Sequence, residues 1–312
     1  MSDDPVPATA PPNDLPIERL RVRPGADGTA MVDPPMAGWR YLSFRTQTLT
    51  GSASMTIGGP DHETAVVNLV GGDLAVDEGG GDEHVLTGRP TVFEALPSAF
   101  YLPAGRTATI TLPEARSRSA TTVAIATAPT RPTVSAGLSS VSIRPDDIRV
   151  EVRGAGRSTR QINHIIGPDF PADRLLLVEV LTPAGNWSSW PPHKHDVDDM
   201  PDEAVLEEVY HYRFRRSEAW AIQRVYRLAG GPLGAARDAV FAVRDGEIVL
   251  VTDGYHPFAA TDADDAYYLN ALAGDRRTMA CSFDPDLDHV RTGWSTGSQD
   301  PRVPMVRTRS RG

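Results

Sequence analysis

Apolar residues recur in short runs from Gly38 onwards, and Gly, Pro and Asp residues separate one run from the next. The runs either alternate apolar and polar residues or are continuously apolar, and both patterns are typical of β-strands. In the first half of the chain they are WRYLSFRTQTL, TAVVNLVGGDLAV, HVLTGRPTVFEAL, AFYLPAGRTATITL and TTVAIATA. Their short, regular spacing predicts a β-sandwich or a small barrel.

A second series of runs follows a polar, Pro- and Gly-containing stretch. It consists of RLLLVEVLTP, LEEVYHYRF, AWAIQRVYRL, DAVFAVRDGEIVLVT, HPFAA and YYLNALAG. Each half has enough strands to close a barrel, so we predict an all-β protein of two tandem barrels with little helix. The predicted divisions are an N-terminal arm or edge strand at 1–30, a first barrel at 31–130, a connecting segment at 131–158, a second barrel at 159–295 and a C-terminal tail at 296–312.

Composition narrows the classes of partner. The formal net charge of -10 and the pI near 5.3 argue against nucleic-acid binding, which needs clustered basic residues. The one basic cluster, RVPMVRTRSR near the C-terminus, has the composition of a disordered, solvated tail. No apolar run is long enough to cross a membrane, the N-terminus lacks the features of a signal peptide, and a single cysteine, Cys281, suits a reducing compartment. We therefore expect a cytoplasmic protein without a membrane partner.

The histidines of the second half are spaced like metal ligands. His193 and His195 are two residues apart, so on a strand both imidazoles point to one side, and Lys194 points away. Glu208 lies on a strand that can return beside them after an acidic loop, and His256 follows a later strand. Three imidazoles and one carboxylate suit a divalent zinc, manganese, iron, nickel or cobalt ion, of which we expect zinc. By contrast, His62 and His84 of the first half have no partner at such a spacing, which predicts a first barrel without metal.

These residues lie in motifs that resemble a known family. His193, His195 and Glu208 are similar to the first cupin motif, and Gly254, His256 and Asn270 resemble the second. More narrowly, the chain resembles the 5-deoxy-glucuronate isomerases of bacterial myo-inositol catabolism, from about residue 30 to 295. The segments that carry this resemblance are GWRYLSFR, LTGRPTVFEALPSAFYLPAG, NWSSWPPHKHD, LEEVYHYRF, QRVY, GYHPFAA and YYLNALAG. It implies a bicupin, in which two jelly-roll barrels follow each other and the second binds the metal.

The resemblance also implies an activity, the conversion of 5-deoxy-glucuronate to 2-deoxy-5-keto-gluconate. The substrate is then a small sugar acid, and no organic cofactor is needed. A metal ion can chelate the carbonyl and hydroxyl oxygens and stabilise the enediolate that forms when a base removes a proton. Candidates for that base are Glu208 and a metal-bound hydroxide. Strand parity places Tyr210 on the same face as Glu208, and Arg224 is the candidate cation for the substrate carboxylate.

Other interpretations of the same residues stay open. Tyr210 is equally well explained as a residue that fills the barrel, and Arg224 as half of a surface ion pair. Tyr267, Tyr268 and Asn270 either line the cavity or only pack. The same ligands also fit another metal-dependent cupin enzyme, such as an oxygenase or an epimerase-like sugar enzyme, or a sugar-acid binding protein without turnover. Because cupins commonly associate, we expect a homo-oligomer.

Overall fold

A computed structural model describes residues 15–79, 83–113, 120–229 and 235–307 of the chain. Strands β1 to β11 are, in order, Arg21–Val22, Met31–Val32, Ser43–Leu49, Ser54–Gly59, His62–Val70, Leu74–Asp77, Glu83–Leu86, Ala99–Leu102, Arg106–Thr111, Thr121–Pro129 and Val141–Ile143. Strands β12 to β23 are Arg149–Arg153, Arg160–Ile166, Leu175–Thr182, Trp187–Ser188, His193–Lys194, Glu207–Phe214, Trp220–Arg227, Arg237–Arg244, Ile248–Val251, Phe258–Ala260, Ala266–Ala273 and Ser282–Phe283.

In the part of the chain that the structure describes, helix is confined to short segments. They are α1 (Pro34–Ala37), α2 (Pro132–Ser135) and 3-10 turns at Ile17–Arg19, Pro145–Asp147, Gly156–Ser158 and Asp288–Gly293. The prediction of an all-β fold with little helix is thus confirmed. Within the described ranges, no helix combines the length and the apolar character needed to cross a membrane.

The first half is a sandwich of two antiparallel sheets. One has the strand order β11-β8-β5-β10-β3-β2 and the other β4-β9-β6-β7. Apolar side chains from both sheets, such as Val66, Phe100 and Ile110, form one buried cluster between them. Of the two histidines in this half, His62 is exposed and His84 packs beside Phe100, with 5.0 Å between the ring centroids. Neither lies in a group of metal-binding side chains among the described residues.

The second half repeats this arrangement on a larger scale. Its larger sheet has the order β1-β20-β17-β22-β14-β13-β12 and faces the sheet β15-β21-β18-β19. Tyr212 on β17 shows that the sheets face each other, because its hydroxyl donates to Gln223 Oε1 on β18 at 2.9 Å. Strands β14 and β22 are buried along their whole length. One face of these strands lines the barrel interior, and the other packs against the first half.

Buried carboxylates join the halves in both directions. Glu63 of the first half accepts the backbone N–H groups of residues 173–175 at 2.6 to 2.8 Å. Glu207 of the second half accepts those of residues 40–42 at 2.6 to 2.9 Å. A third contact is the ion pair between Arg89 and Glu179, whose side chains are 1% and 0% exposed. The halves therefore share one polar and apolar interface.

The chain ends lie along the second half. Residues 1–14 are outside the described ranges, but β1 pairs with β20 and Leu20 beside it is buried, so this part of the predicted arm forms an edge strand. The tail differs from the solvated terminus that its composition predicts. Val306 is buried and exchanges hydrogen bonds with Gln161, through its N–H at 2.9 Å and its carbonyl at 2.7 Å. The Gln161 side-chain amide and the burial of Val306 outweigh the basic composition here, whereas residues 308–312 lie outside the described ranges.

Candidate metal centre

Strand β17 presents alternate side chains to different surroundings, as its period of two predicts. Glu208, Tyr210 and Tyr212 point into the second barrel, where they contact His195, Ser189 and Gln223 respectively. Glu207 points to the first half, and so does His211, whose ring centroid lies 5.8 Å from that of Phe44. Glu208, Tyr210 and Tyr212 thus face the interior between the two sheets of the second half.

His195, Glu208 and His256 meet in this interior. One potential ligand atom from each lies within 4.8 Å of the others, and all three residues are buried. Glu208 Oε2 is 2.9 Å from His195 Nε2 and 3.4 Å from His256 Nε2. Three ligand atoms that converge from separate segments are the arrangement that the sequence spacing predicts for these residues.

The ring orientations of the two histidines fit a metal site. His195 Nδ1 lies 2.9 Å from the carbonyl oxygen of Leu206, and His256 Nδ1 lies 3.0 Å from that of Gly254. When Nδ1 donates to a carbonyl, Nε2 carries the lone pair that binds a cation. His256 Nε2 is buried and has no hydrogen-bond partner among the described residues. An orphaned, buried ring nitrogen beside a carboxylate is the feature that a bound divalent ion would satisfy.

The pKa values of His195 and His256 are shifted in opposite directions. Burial lowers the pKa of His256 to about 4, despite the opposing charge of Glu208. Burial also lowers the pKa of His195, but the hydrogen bond and the charge of Glu208 outweigh it, so the net pKa of His195 is raised. The carboxylate is therefore the strongest local attraction for positive charge, whether a proton or a metal ion carries it.

His193 lies at the edge of this group. Its ring centroid is 4.6 Å from that of His256 and 6.5 Å from that of His195, but it does not belong to the set of converging ligand atoms. Loss of water contacts lowers the pKa of His193 well below its ordinary value, and His256 and His195 lower it further. The structure thus places His193 beside the centre, and its role as a fourth ligand stays a prediction.

Lys194 fixes the loop that follows the two histidines. It points away from them, as predicted, and its ammonium donates to Asp196 at 2.7 Å and to Glu203 at 2.8 Å. Asp196 in turn accepts the N–H of Gly254 at 2.7 Å, which ties this loop to the turn before His256. Gly254 has φ +80, and a Cβ atom there would lie 2.3 Å from the carbonyl oxygen of Tyr226. Only glycine fits this turn.

Hydroxyl groups line the interior beside the cluster. Tyr210 OH and Ser189 Oγ are 2.7 Å apart, and Tyr268 OH lies 3.5 Å from the same Oγ. The Tyr210 ring centroid is 5.8 Å from that of His256. Burial raises the pKa of Tyr210 well above its ordinary value, and the charge of Glu208 adds to the effect. Ser189 itself has φ 47, a left-handed conformation that is uncommon outside glycine.

Arg224 does not reach this interior. Gln223 points inward to Tyr212, so its neighbour Arg224 faces outward, where it forms a bidentate pair with Asp238 at 2.8 Å. The side chains of Arg224 and Asp238 are 42% and 56% exposed. The candidate cation for the substrate carboxylate is thus a surface ion pair, because strand parity turns it away.

The three candidate residues of β22 lie on two different faces of the strand. Tyr268 and Asn270 are on the interior face, opposite Tyr212 and Tyr210 in the strand pairing. Tyr267 faces the first half and donates to Glu179 at 2.7 Å. Sequence reasoning missed Ser189 and Gln223. Both faces of β18 carry apolar residues, so strand parity did not mark Gln223 as inward-facing, and nothing in the spacing pointed to Ser189.

Comparison with known proteins identifies relatives of this chain. The model of the KduI/IolB family matches residues 18–290. The chain is 36% identical over 270 residues to a 5-deoxy-glucuronate isomerase of Geobacillus kaustophilus (strain HTA426), which is 86% of this chain and 92% of the relative. It is 35% identical over 257 residues to a 5-deoxy-glucuronate isomerase of Shouchella clausii (strain KSM-K16), or 80% of this chain and 87% of the relative.

Solved structures show the same fold. An IolB-like protein from Salmonella typhimurium LT2 superposes with a TM-score of 0.75 at 30% identity, covering 84% of this chain and 94% of that one. An oxalate decarboxylase from Lactobacillus farciminis superposes with a TM-score of 0.53 at 11% identity, covering 84% and 85%, which shows the fold alone. These likenesses agree with an all-β cupin fold. On the family match and the relatives together, the chain belongs to the KduI/IolB family.

Proposed function

We propose that this protein is a metal-dependent 5-deoxy-glucuronate isomerase, which converts its substrate to 2-deoxy-5-keto-gluconate in myo-inositol degradation. The observation that carries the proposal is the buried group of His195, Glu208 and His256. It lies in a chain that is 36% identical to a relative of that name over 86% of its length. The names of the relatives support the choice of substrate, and the buried group supports a metal-dependent reaction.

The bound ion and its ligands are part of the proposal. A divalent cation at this group would polarise the carbonyl and neighbouring hydroxyl oxygens of the substrate and acidify the C–H bond beside them. We propose zinc, with manganese, iron, nickel and cobalt as the alternatives that the donor set also suits. His193 is the proposed fourth ligand, since its ring lies directly beside that of His256.

The side chains around the cluster have separate proposed tasks. The reaction moves one proton from the hydroxyl-bearing carbon to the adjacent aldehyde carbon and the hydroxyl proton to the former carbonyl oxygen, so no atom is gained or lost. Glu208 is the proposed proton carrier, because it is the carboxylate of the group. Tyr210 and Ser189 form a hydroxyl pair beside it, and we propose that they orient the substrate oxygens.

An NMR experiment in deuterated water tests the function. Protein loaded with zinc is mixed with 5-deoxy-glucuronate, and we expect the keto acid to appear with a solvent deuterium at the carbon that receives the proton. Turnover should continue without oxygen, which an oxygenase would need. Recovery of unchanged substrate after long incubation would indicate a binding protein and overturn the proposal. Full turnover by protein shown to be metal-free after chelation would overturn the metal dependence.

The proposal extends to the organisation of the protein. We infer that the halves are two cupin units in tandem and that the protein works as a homo-oligomer in the cytoplasm. Apolar side chains on the outer face of the sheet β15-β21-β18-β19 support assembly, because Trp220 is 40% and Val240 62% exposed. The free thiol of Cys281 fits a reducing compartment. Light scattering after size exclusion tests the oligomer, and a monomer at micromolar concentration would contradict it.

A further inference from the structure

Arg160 is a buried guanidinium without an ion-pair partner among the described residues. The buried arginines of the described residues are Arg89, Arg160, Arg174 and Arg227. Each of the other three forms an ion pair with a carboxylate. Arg160 is 5% exposed, and its hydrogen bond is from Nη1 to the carbonyl oxygen of Ser158 at 2.9 Å. An unpaired buried charge is costly, so it indicates a group that a ligand completes.

Strand pairing places Arg160 on the interior face of the second barrel. Residues two apart on a strand share a face, so Arg160 lies on the face of Ile162. Ile162 is opposite Val180, which is opposite Tyr268, which is opposite Tyr212. This is the face that carries Tyr210 and Glu208. The metal cluster and the unpaired guanidinium therefore occupy one interior.

Electrostatic interactions agree with this placement. Burial lowers the pKa of Arg160 to about 10 and the charge of Arg153 lowers it further, whereas Tyr268, Glu151 and Tyr210 act in the opposite direction.

The acidic residue on the strand paired with that of Arg160 forms its hydrogen bonds with other residues. Glu151 of β12 accepts two hydrogen bonds from Arg153, at 2.6 and 3.1 Å, and lies 2.9 Å from His164 Nε2. Its hydrogen bonds thus go to Arg153 and His164. At distances up to 4.0 Å, no Asp or Glu oxygen within the described ranges pairs with Arg160.

A second unused donor stands beside the guanidinium. The Arg160 Cζ atom lies 5.2 Å from the ring centroid of Trp294. Trp294 Nε1 is buried and has no hydrogen-bond partner within the described ranges. Indole N–H groups are donors only and usually find an acceptor when buried. The cation and the N–H donor both lack an anionic acceptor, and a carboxylate could accept hydrogen bonds from both.

We propose that Arg160 binds the carboxylate of the substrate, with the Trp294 indole N–H beside it, and so selects sugar acids over uncharged sugars. This inference rests on the proposed function, since it names the residue that binds the carboxylate end of the substrate, opposite the reacting aldehyde. It gives Arg160 the role that the sequence assigned to Arg224. The planar guanidinium offers a carboxylate two parallel hydrogen bonds, which a lysine ammonium cannot reproduce.

Kinetics of Arg160→Met and Arg160→Lys in the zinc-loaded enzyme test the inference. For 5-deoxy-glucuronate we expect Arg160→Met to raise KM by about 10- to 100-fold, the range for a lost hydrogen bond to a charged group. Arg160→Lys should give an intermediate KM. For the uncharged analogue 5-deoxyglucose, KM should change by less than about threefold, because no carboxylate is present to lose its partner.

Controls separate binding from structure. Arg215→Met removes an arginine that is 44% exposed and already pairs with Asp265, and it should leave both KM values unchanged. Metal content and the near-ultraviolet circular dichroism spectrum of the Arg160 variants should match those of the wild type. Equal losses for the acid and the uncharged sugar, or an unchanged KM for the acid, would overturn the role of Arg160.

A binding measurement keeps the two proposals distinguishable. If the wild-type protein fails to convert 5-deoxy-glucuronate, that result overturns the proposed function without testing Arg160. Calorimetric titration with the same compound then tests Arg160 separately. A weaker Kd in Arg160→Met than in the wild type supports the carboxylate contact, and an equal Kd overturns it.

Discussion

At the scale of single residues, the direction of each imidazole decides what the site can bind. Backbone carbonyls lie 2.9 and 3.0 Å from Nδ1 of His195 and His256, so the chain itself sets which nitrogen faces Glu208. Because these acceptors are main-chain atoms, the orientation is built into the strand and turn geometry rather than left to a flexible side chain. The two rings are thus held in place by the backbone beside Glu208.

Removal of one ligand should therefore abolish metal retention. Changing only the outer partners of a metal ligand weakens binding by about 10- to 100-fold, so His256→Ala should exceed about 100-fold. We expect no zinc after dialysis by elemental analysis, no activity, and no rise in Tm on addition of zinc, since metal binding is linked to stability. The control is His289→Ala, because His289 is exposed and its Nδ1 lies 3.1 Å from the Asp286 carbonyl oxygen. Stoichiometric zinc in dialysed His256→Ala would contradict the assignment.

The grouping of His195, Glu208 and His256 could be predicted from the sequence, because strand parity and motif spacing are enough to place them. A strand period of two is enough to place Glu208 and Tyr210 on one face, and the motif spacing brings in His195 and His256. The same rule was insufficient for Arg224. On β18 both faces carry apolar residues, Ala221 and Val225 on one and Trp220 and Ile222 on the other, so the sequence alone did not indicate which face is inside.

At the scale of elements, the loop between β16 and β17 holds the ligands in register. Lys194 is 19% exposed and neutralises Asp196 and Glu203, whose side chains are 7% and 3% exposed. Glu203 also accepts the N–H groups of Asp196 and Val197, both at 2.8 Å. Lys194, Asp196 and Glu203 thus form one buried network. The sequence shows only an acidic loop here, because the contacts form only when the chain turns back on itself.

Lys194→Met should loosen this loop and the metal site together. Two nearly buried carboxylates lose their cation, and we expect a loss of about 3 kcal/mol in the free energy of unfolding, the lower end of the range for a broken buried pair. Zinc affinity should fall as well, because Asp196 holds the N–H of Gly254 before His256. Denaturant titration and zinc titration measure the two effects.

A matched control lies close to this loop. Arg276 pairs with Asp198, but their side chains are 56% and 41% exposed, so Arg276→Met should cost less than about 1 kcal/mol. If Lys194→Met proved as stable as Arg276→Met and bound zinc normally, the loop would not depend on the buried network.

At the scale of the whole molecule, the halves form a continuous interface. Glu63 holds backbone of the second half and Glu207 holds backbone of the first, so each half supplies acceptors for the other. The sequence predicted two halves from strand number, but it gave no sign of this contact. The residues that meet across this interface, such as Arg89 and Glu179, are far apart in the chain. Both faces of β14 and β22 are buried because the halves pack together.

The Arg89–Glu179 pair offers a direct test of this coupling, because Glu179 also accepts hydrogen bonds from Tyr267 and Asn163 at 2.7 and 3.2 Å. Arg89→Met leaves a buried carboxylate without its cation, and we expect a loss of about 3 to 5 kcal/mol in the free energy of unfolding. The double variant Arg89→Met/Glu179→Gln should regain part of that loss, because the amide oxygen still accepts from Tyr267 while no charge is buried. Arg144→Met, at a pair whose side chains are 71% and 42% exposed, is the control and should change stability by less than about 1 kcal/mol. Urea titration followed by tryptophan fluorescence measures all three. A single variant as stable as the wild type, or a double variant no more stable than Arg89→Met, would show that the buried charge pair does not hold the halves together.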